Sequence, residues 1–238
     1  MYDIFSGRRL TKLGFLSFFV LLIGGVMMTP TVQGSPVAPK WSYDLVGAEA
    51  WTDTSSPALA DVNGDGFLDI VVATNNGHIV VLRHDGVVLW DQDVSGALGQ
   101  AANSLVIASS PAVADLDGDG SVEVVVGTGN RAGQCQNDGG IIVMSHTGSV
   151  EPGWPIIAPP NDKNLCSVFS SPALADLDND GDLEVVAGSF NKRVLAYHHN
   201  GQLMAGFPPN SPHLARFPLW TDQLQGSLAD TIWSSPAV

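Results

Sequence analysis

The sequence is poor in positive charge and in cysteine, and each shortage excludes a class of protein. Its 238 residues contain 10 Lys and Arg against 24 Asp and Glu, which gives a formal net charge of −14. A broad basic face that binds nucleic acid is therefore not expected. Two cysteines, Cys135 and Cys166, are too few for a disulfide scaffold or a four-cysteine zinc site. The hydrophobic fraction of 45% excludes wholesale disorder.

Residues 1–34 have the pattern of an export signal. Arg8, Arg9 and Lys12 precede an uncharged, mostly apolar run from Leu13 to Met28. That run has 16 residues, whereas a membrane-spanning helix needs about 20. An uncleaved anchor is the alternative, and it would be the chain's only contact with a membrane. We therefore expect a secreted, periplasmic or cell-surface protein.

An oxidising destination changes what the two cysteines are expected to do. Cys135 and Cys166 both lie in polar, loop-like stretches of the sequence. We expect them to form a disulfide, and two free thiols are the alternative.

An internal repeat dominates the rest of the chain. SSPALADVNGDGFLDIVVATN begins at Ser55, SSPAVADLDGDGSVEVVVGTG at Ser109 and SSPALADLDNDGDLEVVAGSF at Ser170. A fourth copy, SSPAV, begins at Ser234, and the copies start 54, 61 and 64 residues apart. Periods of this size are typical of propellers and solenoids.

Each repeat contains short runs of Val and Ile separated by turn residues, which predicts strands and no sustained helix. The predicted strands are Leu68–Ala73, Ile79–Leu82, Val122–Val126, Ile141–Met144, Leu183–Ala187 and Val194–Tyr197. A last strand in each repeat is expected to end at Trp90, at Gly153–Pro155 and at Gly206–Pro208. With the Ser-Pro-Ala segment, each repeat has four antiparallel strands, which describe one blade of a β-propeller. The predicted fold is an all-β propeller with about three blades present, an incomplete ring.

The segment before the first repeat matches the segment before the last one. Trp41, Leu45 and Gly47 precede Ser55 at the same offsets at which Trp220, Leu224 and Gly226 precede Ser234. Residues 35–54 are therefore predicted to be a linker plus the outer strand of a neighbouring blade, and residues 55–238 a partial propeller. Because the fourth copy breaks off at Val238, we expect the chain to be a fragment of a longer protein.

Each of the three long copies carries a nine-residue acidic loop with oxygen side chains at positions 1, 3, 5 and 9 and Gly at position 6. The candidate metal ligands are Asp61, Asn63, Asp65, Phe67 and Asp69; Asp115, Asp117, Asp119, Ser121 and Glu123; and Asp176, Asp178, Asp180, Asp182 and Glu184. Position 7 has no fixed side-chain chemistry, so Phe67, Ser121 and Asp182 are expected to contribute backbone carbonyls. Alternate oxygens of a tight loop suit Ca²⁺, and three loops predict about three ions.

The spacing excludes a helix–loop–helix calcium site. Such a loop needs a bidentate acid at position 12, where this sequence has Val72, Val126 and Ala187. The acid at position 9 instead stands at the entrance of a predicted strand. Solvated acidic turns without a metal are the alternative interpretation.

The recurring Ser-Pro-Ala-x-Ala-Asp-x-Asp/Asn-x-Asp-Gly-x-x-Asp/Glu string resembles the FG-GAP/VCBS-type repeats of calcium-binding β-propellers, which include the head of integrin α chains. The resemblance covers residues 41–238. It implies an extracellular seven- or eight-bladed ring, calcium in the acidic loops and a role in adhesion, and some relatives bind or cleave polysaccharides. The Phe-Gly and Gly-Ala-Pro signatures are not intact, which favours the bacterial-type repeat.

No catalytic constellation is found, so we expect no enzyme. His84, His146 and His199 recur at one turn and are expected to be structural, whereas His78, His198 and His213 have no metal-ligand spacing. The connections 91–108, 156–169 and 209–233 vary in length and are the expected binding surface for a protein or glycan. The alternative is a non-catalytic part of a calcium-dependent polysaccharide-active enzyme such as a lyase.

Overall fold

A computed structural model describes residues 40–45, 52, 55–130, 139–160, 164, 166–191 and 193–205. The chain divides into residues 1–39 and residues 40–238, and every described residue belongs to the second unit. Within that part, three antiparallel sheets follow one another along the sequence, so the all-β prediction is confirmed. The predicted export segment 1–34, Cys135, His213 and the fourth copy at Ser234 lie outside the described residues.

The first two sheets have four strands each in meander order, and the third has three. The first contains β1 (Ala58–Ala60), β2 (Asp69–Ala73), β3 (His78–Leu82) and β4 (Val88–Asp93). The second contains β5 (Ala112–Ala114), β6 (Glu123–Thr128), β7 (Gly140–Met144) and β8 (Ile156–Ile157). The third contains β9 (Ala173–Ala175), β10 (Glu184–Ser189) and β11 (Arg193–Tyr197). Each sheet has the antiparallel meander order expected of a propeller blade.

The fourth strand of the second sheet differs from the prediction. The sequence predicts a strand that ends at Gly153–Pro155, but β8 begins only at Ile156. A turn interrupts the chain first, because Trp154 donates its backbone N–H to the Glu151 carbonyl at 3.1 Å. Pro155 has no N–H to give to a ladder, so pairing resumes after it. In the first sheet, by contrast, β4 continues three residues beyond Trp90.

Apolar side chains from alternate strand positions pack the sheets against each other. One buried cluster joins the first sheet to the second, and another joins the second sheet to the third. The first includes Val71, Ile79, Val81, Val124, Val126 and Ile142. The second includes Val125, Ile141, Val143, Val185, Ala187 and Leu195. Side chains alternate between the two faces of a strand, so β6 contributes Val124 and Val126 to one cluster and Val125 to the other.

The first sheet has one face that is partly open. Leu59 and Leu68 are 62% and 58% exposed, although both are large and apolar. At the matching places in the second sheet, Val113 and Val122 pack against the core cluster shared with the first sheet. The difference in exposure arises because the second sheet packs this face against the first sheet. Among the described residues, no sheet precedes the first one and covers its face.

Trp41 contacts the hairpin turn of the first sheet through its indole nitrogen. Tryptophans of the first and second sheets make the same contact with the turn of the sheet that follows each of them. Its Nε1 donates a hydrogen bond to the His84 carbonyl at 3.2 Å, and residues 41–45 form no strand in the described part of the chain. The assignment of this segment as the outer strand of a neighbouring blade stays a prediction.

Cys166 is fully buried and forms a disulfide. The sequence offers Cys135 as its partner, because the chain has two cysteines. The described residues include no helix long and apolar enough to cross a membrane.

Candidate metal centre

Each acidic loop joins the first two strands of its sheet and is folded around its own first carboxylate. Asp61 accepts hydrogen bonds from the N–H groups of Asp65 and Gly66 at 3.0 and 2.8 Å. Asp115 does the same for Asp119 and Gly120 at 3.1 and 2.9 Å. These bonds close the loop into a tight turn around the first carboxylate.

Two positions in each loop, 4 and 6, have left-handed backbone. Gly at position 6 was expected, and Gly120 has a φ of 94°. Position 4 shares this conformation: Gly64 and Gly118 both have a φ of 74°, and Asn179 has a φ of 62°. Gly and Asn are the residues that tolerate this region, so the signal was present in the sequence.

The acid at position 9 is the first residue of the second strand in every sheet and is buried. Asp69 and Glu184 are 0% exposed and Glu123 is 7% exposed. One carboxylate oxygen of each accepts the N–H of loop position 2: Val62 to Asp69 at 3.1 Å, Leu116 to Glu123 at 2.9 Å and Leu177 to Glu184 at 2.7 Å. This bond ties the start of the loop to its end.

The structure brings carboxylates together in the second and third loops. Groups of three whose oxygens lie within 4.8 Å of one another are Asp115, Asp117 and Glu123; Asp176, Asp178 and Asp180; and Asp180, Asp182 and Glu184. The first loop carries Asn63 in place of an acid, and its amide donates to Asp65 Oδ2 at 3.1 Å. Acidic clusters that could hold metal ions are therefore present, and the loops are not chemically identical.

Burial and neighbouring carboxylates raise the pKa values of the position 9 acids in the first and second loops. Burial raises the pKa of Glu123 to about 7; the Leu116 N–H opposes this, and Asp117, Glu151 and Asp119 add to it. Burial likewise raises the pKa of Asp69 against the N–H groups of Val62 and Asn63. A divalent cation among these oxygens would favour the charged forms.

In the first loop, one of the two carboxylate oxygens of the position 9 acid accepts no hydrogen bond from the described residues. Asp69 Oδ1 is buried and has no hydrogen-bond partner among the described residues. An unpaired buried carboxylate oxygen is unfavourable unless a charged or donating group meets it. Because the neighbouring donors in this loop are also oxygens, the set fits a hard divalent cation.

The side chains at position 7 share no chemistry, as the sequence indicated. Phe67 is 60% exposed and lies against His84 with ring centroids 4.6 Å apart. Asp182 instead pairs with His199.

His198 is a functional candidate that sequence spacing missed. Its Nδ1 lies 3.0 Å from Glu184 Oε1 and 3.9 Å from Asp178 Oδ2. Spacing along the chain gave His198 no metal-ligand pattern, but the fold places it beside two loop carboxylates in a group that could hold a metal ion. Antiparallel pairing of β10 with β11, in which Val185 faces Tyr197, places residues 184 and 198 side by side.

A cleft opens between the second and third sheets beside the second loop. The cavity has a volume of about 170 Å³ and is lined by Leu116, Asp117, Glu123, Glu151, Pro152, His199 and Asn200. Burial raises the pKa of Glu151, and Asp117 and Asp119 raise it further. The second loop therefore faces an acidic cleft.

The FG-GAP-like repeat family has a sequence model that matches residues 61–126 and 115–187, which together cover more than half of the chain. No curated protein matches the sequence at a significant level.

Several solved structures are similar to part of the chain. The quinohemoprotein alcohol dehydrogenase of Comamonas testosteroni is 15% identical with a TM-score of 0.41, over 57% of this chain and 25% of that one. The PilY1 C-terminal domain of Pseudomonas aeruginosa is 14% identical with a TM-score of 0.43, over 63% and 39%. A europium-containing methanol dehydrogenase is 15% identical with a TM-score of 0.37, over 71% and 45%. The chain spans less than half the length of each.

Proposed function

The chain belongs to the FG-GAP-like repeat family, and from that premise we propose that it is an exported, non-catalytic β-propeller module that binds calcium in its acidic loops. In this proposal the ions are structural, and the connections between the sheets bind a protein or carbohydrate ligand. Residues 1–34 direct export, as their basic start and apolar run indicate.

The observation that carries the calcium proposal is the buried acid at loop position 9. Asp69 has one oxygen fixed by the Val62 N–H and a second, Oδ1, that is buried without a hydrogen bond. Calcium takes six to eight oxygen ligands at about 2.3–2.6 Å, which carboxylates, amide oxygens and backbone carbonyls supply. Asp61, Asn63 and Asp65 supply such oxygens in the same loop.

The calcium proposal extends to all three loops because their geometry repeats. The second and third loops keep the position 9 to position 2 hydrogen bond and gather three carboxylates each within 4.8 Å. At 4 Å, two like charges repel by about 4 kcal/mol at an effective dielectric of 20, so a cation offsets a large cost. When bound, the ion joins the first two strands of a sheet.

The binding part of the proposal rests on where the chain varies. The connection 91–108 carries a short 3₁₀ helix, Ser95–Leu98, which the connection 156–169 lacks among its described residues. Loops held on a rigid scaffold are where binding residues concentrate. In the repeats themselves, in contrast, the side chains pack between the sheets or form the acidic loops.

Thermal unfolding with and without calcium tests the metal proposal. Calcium should raise the melting temperature of the metal-free protein, and Asp117→Ala should reduce that rise. Asp85→Ala is the matched control, because Asp85 pairs with Arg83 outside the acidic loops and its loss should leave the calcium effect unchanged. If the protein is folded and calcium does not change its melting temperature, the calcium proposal is overturned.

A glycan array probed with the processed, calcium-loaded protein tests the carbohydrate arm of the binding proposal, and crosslinking at the cell surface tests the protein arm. We expect binding in one of the two that is lost with EDTA. Polysaccharide cleavage by the purified chain would contradict a non-catalytic module.

A further inference from the structure

We propose that the third acidic loop binds a first-row transition-metal ion such as Zn²⁺ in preference to Ca²⁺, with His198 as a nitrogen ligand beside Glu184 and Asp178. The inference rests on the proposed function to the extent that the loops hold divalent cations. It adds that one of the three sites is selective for a different class of metal.

The three donor atoms come together from three parts of the sheet. Asp178 lies in the loop, Glu184 begins β10, and His198 directly follows β11. Their ligand atoms lie within 4.8 Å of one another, with Nδ1 of His198 at 3.0 Å from Glu184 Oε1. Two ligands that each lie about 2.0–2.2 Å from one ion are about 3–4 Å apart, and His198 Nδ1 lies 3.0 Å from Glu184 and 3.9 Å from Asp178, so these separations suit a shared metal.

Burial and hydrogen bonding fix the central ligand. Glu184 is 0% exposed, and its Oε2 accepts the Leu177 N–H at 2.7 Å. Its Oε1 therefore keeps its direction towards His198. The side chains of His198 and Asp178 are 24% and 38% exposed, which leaves an approach from solvent. The site is thus ordered on its inner side and accessible on its outer side.

The first and second sheets provide an internal comparison. Arg83, Ser145 and His198 occupy equivalent places, since each donates its backbone N–H to the carbonyl four residues later. Arg83 is a cation that pairs with Asp85, and Ser145 contacts Thr147. Neither presents an uncharged nitrogen donor to the acid at position 9. Among these three loops, the nitrogen donor belongs to the third.

The presence of a nitrogen ligand in only one of these three loops should make the loops prefer different metal ions. Calcium is a hard ion that takes oxygen ligands, whereas imidazole nitrogen suits Zn²⁺, Ni²⁺, Co²⁺ and Cu²⁺. Replacing one oxygen in the donor set by the His198 nitrogen should weaken calcium and strengthen the transition metal. The first and second loops, which have oxygens alone, should keep the opposite preference.

Cobalt binding to the full chain in saturating calcium tests the proposal, because Co²⁺ reports its ligands through visible absorption. We expect one Co²⁺ per chain, with displacement of one calcium, and at least a tenfold weaker Co²⁺ affinity in His198→Asn. The matched control is His146→Asn, which removes an exposed histidine of the second sheet and should bind Co²⁺ normally. Ser145→His should create a second Co²⁺ site at the second loop.

Equal Co²⁺ affinity in His198→Asn and the unchanged protein would overturn the proposal and assign His198 to a hydrogen bond with Glu184. Absence of Co²⁺ binding at saturating calcium would overturn it as well. Calcium binding at the first and second loops, which lack the histidine, is measured in the same samples. If these two loops bind no calcium, the proposed function fails, and this outcome is distinct from a failure of the transition-metal proposal.

Discussion

The indole Nε1 of Trp90 donates a hydrogen bond to the backbone carbonyl of His146 in the next sheet, at 2.9 Å. Trp154 repeats this contact one sheet later, on the His199 carbonyl at 2.8 Å. The ring of Trp90 also fills the space beside Gly148, where a Cβ would come within 3.0 Å of it. Each tryptophan thus fixes its sheet to the hairpin turn that follows.

Trp90→Phe should destabilise the protein by about 1–3 kcal/mol, because it leaves the His146 carbonyl without its partner and opens space around the ring. Urea unfolding measures the effect. Trp41→Phe is the comparison: its bond to the His84 carbonyl is longer, at 3.2 Å, and its effect should be smaller. Equal effects of the two substitutions would contradict this account of the contact.

In the second and third sheets, the first serine of the Ser-Ser-Pro motif ties the segment before the first strand to the second strand. Ser109 Oγ donates to the Gly127 carbonyl at 3.1 Å and accepts the Gly127 N–H at 2.8 Å, with the side chain fully buried. Ser109→Ala should cost about 1–3 kcal/mol, because both backbone groups of Gly127 lose a partner. Denaturant unfolding is the measurement, and the exposed Ser149→Ala is the control that should have no effect. A stability unchanged by Ser109→Ala would show that water replaces the hydroxyl.

His78 should make stability depend on pH. Burial opposes its charge, but hydrogen bonds to Asp91 and Asn103 outweigh burial and raise the pKa of His78 above 6.5. Because the folded pKa is the higher one, this stabilisation is fully present below pH 6.5 and is lost as pH rises through the folded value. The free energy of unfolding should therefore fall as the pH rises above 6.5.

His78→Gln should flatten that pH profile, since glutamine keeps a hydrogen-bonding group without titrating. His146→Gln serves as the control and should retain the slope. If the slope survives in His78→Gln, another group is responsible for it.

The left-handed residues of the loops predict a contrast between two substitutions. Gly118→Ala introduces a Cβ into open space, with no atom within 4 Å, at a φ of 74°. Its cost of about 1–2 kcal/mol should therefore come from backbone strain alone. Asn179→Gly, at the same loop position, should be nearly neutral. Thermal unfolding in calcium compares them, and a neutral Gly118→Ala would show that the loop relaxes.

Most of the fold could be predicted from the sequence, because the strands and turns depend on residues that are close together in the chain. The runs of Val and Ile predicted the strands to within one or two residues, as Leu183–Ala187 against the observed Glu184–Ser189 illustrates. The acid at position 9 was placed correctly at a strand entrance, because a run of Val and Ile and a glycine turn are both local features.

What the sequence missed depended on contacts across strands. His198 meets Glu184 only through the register of β10 and β11, and no spacing along the chain encodes that register. The delayed start of β8 at Ile156 depends on a turn at Glu151–Trp154 that closes through backbone hydrogen bonding. Glu151 became a neighbour of the second loop for the same reason: the sheet folds it back towards Asp117.

The number of calcium ions bound per chain tests the central claim most directly. Equilibrium dialysis of metal-free protein against calcium alone should give three ions per chain, and Asp69→Asn should give two. A folded protein that binds no calcium, or that binds the same number after Asp69→Asn, would contradict the assignment of the acidic loops as metal sites.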